Sequence, residues 1–168
     1  MPVTRRHITE IAIVDGTTPT AQELTFTVDG DISWENGEYE VFPHMDTVGD
    51  FTTEAPSRGN AQPTTFTLVA KQRGFGNAAA SFGALTLMDA AMRTANFLSV
   101  MVSTASSGTA CPDAESVHTL RITVDDCASG TVTYSFPLSY WTGSVSVSQE
   151  GNQVTMSGTS LAPKPTIA

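Results

Sequence analysis

Carboxylates are the side chains most able to do chemistry in this sequence. Asp29, Asp31, Glu35, Glu38 and Glu40 crowd into "VDGDISWENGEYE", residues 28–40, around a single Trp34 and with no Lys or Arg. Such a run suits a metal loop, a catalytic carboxyl pair, a disordered tail or a charged face of folded β-structure. Asp29 and Asp31 have the i, i+2 spacing that opens a calcium loop, but the rest of an EF-hand ligand set does not follow. The simpler reading makes both of them turn residues whose carboxylates bond nearby backbone N–H groups. A glycosidase pair can be drawn from any acid-rich cleft, and no spacing here singles one out.

Other reactive types are scattered. The nucleophile motif G-x-S-x-G is absent, and His7, His44 and His118 stand in unrelated contexts. His118 shares a face with Leu120, Ile122 and Val124, which makes it a core histidine or an edge residue. Gly74 and Gly76 in "KQRGFGNAAASFG" complete neither GxGxxG nor GK[ST], so "RGFGN" reads as a flexible turn. Cys111 and Cys127 flank "VHTLRITVDD" without a zinc-ligand pattern; free thiols are expected in a reducing cytoplasm, and a disulfide requires the two ends of that strand to fold back. The expectation is a protein that is not an enzyme and holds no metal or cofactor.

The elements that must carry these residues are mostly strands. Period-two alternation, rich in Thr, Val, Ile, Phe and Tyr, recurs in residues 8–16, 23–30, 31–35, 38–42, 64–70, 96–102, 118–126, 130–138, 143–149 and 152–158. Asp29-Gly30 and Asn36-Gly37 read as hairpin corners, with Asp15-Gly16, Ser129-Gly130 and Gly151-Asn152 as further breaks. Residues 81–96, "SFGALTLMDAAMRTAN", place Leu85, Met88 and Met92 at helical spacing behind a possible cap at Ser81. Residues 44–62 and 103–116 read as long loops, and "SLAPKPTIA", 160–168, as an extended arm. The fold class predicted is all-β: an antiparallel β-sandwich or barrel with one short flanking α-helix, in a single domain spanning 1–168.

Composition fits that picture. The chain has 168 residues, 40% of them hydrophobic and 15% charged, enough to bury a core without staples. Its net charge of −9 argues against tight binding to a phosphate backbone. Neither an apolar signal segment after "MPVTRRH" nor an 18-residue apolar run is present, which predicts a soluble cytoplasmic product and no membrane partner. From Glu23 to Glu54 there are nine acids and no Lys or Arg, while the remaining eight acids match the eight bases of the chain. One region is therefore electronegative, with its carboxylates expected on an exposed sheet face or its rims.

The layout resembles that of the tail tube proteins, or major tail proteins, of long-tailed bacteriophages. The resemblance lies in an N-terminal strand leading to "IVDGTTPTAQELTFTVDGDISW", a long loop, a strand, one flanking helix, further strands and a closing "SVSVSQEGNQVTMSG" pair. It implies a structural virion protein of the tail, assembled in the host bacterial cytoplasm into hexameric rings. The rings stack into a tube around a tape measure protein, meet tail terminator or tip proteins, and let DNA pass without tight binding. On this resemblance the acids Asp29, Asp31, Glu35, Glu38 and Glu40 form a repulsive face lining the lumen, or else face outward or the ring-to-ring interface. The 44–62 loop and the 160–168 arm bridge rings, with Asp46, Asp50, Glu54, Arg58 and Arg73 as inter-ring or inter-subunit contacts. The alternative is an immunoglobulin-like or carbohydrate-binding β-sandwich on a virion or cell surface, which needs an exposed aromatic platform from Trp34, Tyr39, Tyr140 and Trp141. Adjacent residues of a strand point to opposite faces, which weakens Tyr140 and Trp141 as a flat pair.

Overall fold

The computed structural model describes residues 4–42, 57–75, 85–104, 116–126, 130–148 and 151–168. His44, Asp46, Asp50, Glu54, Gly76, Ser81, Cys111 and Cys127 lie outside the described residues, and with them the expectations placed on these positions.

The described residues form an all-β fold with two short helices. Its strands are β1 (Thr4–Val14), β2 (Glu23–Glu35), β3 (Tyr39–Phe42), β4 (Ser57–Ala61), β5 (Thr64–Phe75), β6 (His118–Asp126), β7 (Gly130–Ser148), β8 (Gly151–Ser160) and β9 (Thr166–Ile167); helices α1 (Leu87–Met92) and α2 (Ala95–Val100) fall between β5 and β6. The main sheet runs β6-β1-β2-β5-β8-β7-β9, and β6 also pairs with β7, so six antiparallel strands form a closed hydrogen-bonded circuit. Closure removes most of the open edges that a sheet of this size would otherwise present. Strands β3 and β4 form a separate two-stranded ribbon.

Alternation decides which side of each strand faces the barrel interior. Along β2, Leu24, Phe26, Val28, Ile32 and Trp34 are buried while Thr27, Asp31 and Glu35 are exposed. β1 keeps its register by a bulge between Ile8 and Glu10, which lets Ile8, Ile11 and Ile13 all face inward. Trp34 lies 4.8 Å from Tyr134 and 6.0 Å from Phe136, and Phe66 lies 5.4 Å from Phe136, centroid to centroid, forming one aromatic cluster of the core.

The long strand β7 makes the corner that closes the barrel. Its first half pairs with β6 as far as Ser139, and from Ser139 onward it pairs with β8. Pro137 supplies no N–H, and Leu138 takes a left-handed φ of 49°. Two buried hydroxyls satisfy the carbonyls at this bend: Ser139 Oγ donates to Phe136 O at 2.7 Å and Ser160 Oγ to Pro137 O at 2.6 Å. The alternating segments expected at 130–138 and 143–149 are thus parts of one bent strand as far as Ser148, the last described residue there.

Five further expectations are corrected. Asp29-Gly30 is no hairpin corner, because β2 runs straight through it: Gly30 pairs with Ile8 on one side and Ala70 on the other. A Cβ on Gly30 would lie 2.0 Å from Val69 O, so the glycine serves a close approach of strands instead of a turn. At Asn36-Gly37 the chain leaves the barrel for the β3–β4 ribbon and forms no β2–β3 hairpin; Gly37 N donates to Thr64 Oγ1 at 3.4 Å, and Gln62 N donates to Glu38 O at 2.7 Å.

The single helix expected over 81–96 is replaced by two, and the strand expected at 96–102 is α2. Thr86 caps α1 in a reciprocal box with Asp89, and Thr94 caps α2. Phe97 and Met101 are buried at i, i+4 while Leu98 and Val102 are exposed, a helical period that the apolar run concealed. The tail does not extend as an arm. Ala168 and Thr133 exchange backbone hydrogen bonds at 3.0 and 3.2 Å, and β9 lies against Tyr134 and Ser135 of β7.

Candidate functional site

The side of the barrel wall facing away from the core carries the carboxylates. On β2 this face presents Thr25, Thr27, Asp29, Asp31, Ser33 and Glu35, since the residues between them point inward. Pairing extends it across β5, β8 and β7 in rows: Asp31 stands beside Val69, Thr155 and Ser144, Ser33 beside Thr67, Ser157 and Thr142, and Glu35 beside Thr65, Thr159 and Tyr140. The result is a broad field of hydroxyls with an acidic margin at β2. A shallow hollow of about 170 Å³ lies between Ser33, Glu35, Thr65 and Thr67.

The carboxylates are less isolated than their sequence suggests. His7, opposite Asp31 on β1, places Nε2 3.6 Å from Asp29 Oδ1 and Nδ1 4.0 Å from Asp31 Oδ1. The side chain of Asp31 remains 76% exposed and that of Asp29 44%, so water screens both contacts. Lys71 is the cross-strand partner of Asp29, and Arg121 Nη1 lies 3.3 Å from Glu23 Oε2. None of these three side chains is near the acid run in sequence; β-pairing alone brings them there.

The other expected positions divide. Glu38 is exposed just beyond β2. Glu40 lies in β3, Arg58 in β4 and Arg73 in β5, and their side chains fall outside the described part. Asp29 and Asp31 share the outward face with His7 beside them, but among the described residues no group of three His, Cys, Asp or Glu side chains is placed to hold a metal ion. Trp141 is fully buried and Trp34 is 8% exposed, so neither contributes to an exposed aromatic platform.

A second polar feature, which motif reading missed, joins the helices to the barrel. Trp141 Nε1 donates to Ala90 O at 2.9 Å, and Gly143 lets α1 lie so close that a Cβ there would sit 2.2 Å from Ala91 O. Arg93 ends α1 in the left-handed region, at φ 51°. Its guanidinium lies 4.7 Å above the Tyr140 ring and 5.2 Å from that of Trp141, and Nη2 donates to Ser116 O. His118 is fully buried, edge-on to Phe97 at 5.3 Å and tilted against Trp141 at 6.0 Å, with Nε2 3.3 Å from Met101 O. Its Nδ1 has no hydrogen-bond partner among the described residues. Burial pushes the His118 pKa below its ordinary value, and the Arg93 charge adds to that, against opposing effects of the Met101 carbonyl and Asp15. His118 is therefore a core histidine.

Asp15 organises the loop from β1 to β2. Burial raises its pKa, but bonds from the Thr17 hydroxyl and from the Gln22 and Thr17 N–H groups outweigh this and hold it below the ordinary value. Among the described residues no helix is long and apolar enough to cross a membrane. No known protein family, characterised protein or solved structure matches the chain.

Proposed function

We propose that this protein is a self-assembling structural subunit of a bacteriophage tail tube, forming stacked hexameric rings whose lumen conducts DNA. The observation that carries this reading is the outward face of β2, β5, β8 and β7, a wide hydroxyl surface with Asp29, Asp31 and Glu35 along one margin. Carboxylates repel phosphate, and neutral hydroxyls exchange hydrogen bonds with water at little cost. A polyanion can therefore move past such a face without being held, because phosphate affinity grows with each cation supplied. The layout quoted from the sequence supports the same reading, although 57–61, within the 44–62 segment that the resemblance assigns to ring bridging as a loop, is strand β4 of the ribbon. Glu38, exposed just beyond β2, continues the acidic run toward that ribbon.

Negative-stain microscopy and sedimentation of the purified chain test the assembly, with rings or tubes expected across a concentration series. A strictly monomeric species at every concentration and salt would overturn it. The lumen assignment has its own test in Asp29→Asn with Asp31→Asn. Tubes of this variant are expected to form as before but to retain DNA more strongly at low salt; unchanged DNA retention removes Asp29 and Asp31 from the lumen.

A further inference from the structure

The surface around Arg93 is a groove of about 390 Å³ between the α1–α2 turn and β7, lined by Met92, Arg93, Leu98, Tyr140, Thr142 and Gly143. Met92 is 54% and Leu98 41% exposed, so the rim presents apolar side chains beside a guanidinium whose Nη1 is buried and whose Nη2 donates to Ser116 O. Cross-strand pairing places one wall of this groove, Tyr140 and Thr142, on the face that carries the acidic margin, while α1 packs over Trp141 and Gly143 of the opposite parity. Glu35, Thr65, Thr159 and Tyr140 form a single row across β2, β5, β8 and β7. Three interstrand steps of about 4.8 Å separate the ends of that row by about 14 Å. Within one chain, then, Glu35 and Arg93 lie at opposite margins and cannot meet.

Beside Glu35 the chain also offers what the groove would accept. Glu38 is exposed, and next to it Tyr39 is a 40% exposed aromatic, giving an acidic and apolar pair against a basic and apolar recess. The other large exposed apolar groups, Val102, Leu138, Val147, Leu161 and Ile167, have no described carboxylate as an immediate sequence neighbour.

We propose that the Arg93 groove is the receptor for a second copy of this chain, and that the Glu35–Tyr39 margin of one subunit docks in the groove of the next. This rests on the tube reading and specifies its lateral contact. Two different patches at opposite margins make a head-to-tail contact, the kind that closes into a ring when the rotation per subunit divides a full turn. Asp29 and Asp31 lie further along β2, outside the contact. Tyr39 supplies the buried aromatic, and Arg93 with Glu35 or Glu38 fixes the register by charge.

Charge reversal tests the pairing. Glu35→Lys with Glu38→Lys, and separately Arg93→Glu, are each expected to raise the concentration needed for assembly by about tenfold or more, because like charges then face each other across the contact. Mixing the two variants restores assembly, since a basic margin meets an acidic groove and an acidic margin meets a basic one. Because Arg93 also stacks on the barrel, Met92→Glu on the exposed rim provides a second variant that leaves the Arg93 contacts in place, and it is expected to weaken assembly in the same way. Assembly of the wild type that is indifferent to all of these substitutions, or the absence of rescue on mixing folded variants, overturns this interface and leaves the tube reading standing. A wild type that never assembles overturns the tube reading itself.

Discussion

Replacing Gly30 by Ala distinguishes a hairpin corner from a strand crossing at close range. An added Cβ would stand 2.0 Å from Val69 O and 2.7 Å from Ala70 Cα, both main-chain atoms held in the β2–β5 ladder. Carbon and oxygen in contact need more than 3 Å, so the methyl group must push β5 away by about 1 Å against hydrogen bonds on both sides. Overpacking of this kind costs about 1–3 kcal/mol or more. In a domain of this size each kcal/mol moves the thermal midpoint by about 2–4 °C, so a fall of about 2–12 °C is expected in a calorimetric scan. Gly30→Asn separates the two geometries further. In a turn with positive φ, Asn is tolerated better than Ala; in a crowded strand it is at least as harmful, since the larger side chain meets the same carbonyl. A midpoint for Gly30→Ala within about 1 °C of wild type, or an Asn variant clearly more stable than the Ala variant, would refute the continuous strand.

Acid should destabilise the fold in two stages. The depressed His118 pKa means that the unfolded chain binds a proton first, so stability is complete above the ordinary value of 6.5 and falls as pH drops below it toward the lowered folded value. His118→Gln should remove this first stage from a plot of thermal midpoint against pH; the same slope in the variant would show that another group titrates. Asp15 and Asp89, whose pKa values are held below 3.8, add a second loss as pH falls below that value, which Asp89→Asn should reduce. Trp141→Phe leaves the Ala90 carbonyl without its 2.9 Å indole donor and opens space at the helix junction, for a cost of about 1–3 kcal/mol by chemical denaturation; a change below about 0.5 kcal/mol would show that the helices are not anchored there. Thr86→Ala removes the hydroxyl that accepts from Asp89 N, and about 1 kcal/mol should be lost, with faster hydrogen exchange confined to α1.

Sequence by itself determined the all-β class, because alternation along segments such as Glu23–Val28 and His118–Val124 reflects a two-residue period that any half-buried strand must show. It also determined the outward carboxylates of β2, since Asp29, Asp31 and Glu35 alternate with Val28, Ile32 and Trp34. Whether a glycine marks a turn was not readable locally: Gly30 answers to Val69 on a strand thirty-nine residues away in the chain. The same limit hid α2, whose run "NFLSV" is apolar enough for either period until Phe97 and Met101 are seen to share one buried side. It hid the partners of the acids too, as His7, Lys71 and Arg121 reach the carboxylates of β2 only through antiparallel pairing. Local patterning sets which side of a strand faces water. Only the closed barrel decides which strands become neighbours, and therefore that the acidic margin and the Tyr140 wall of the Arg93 groove stand at opposite sides of one face.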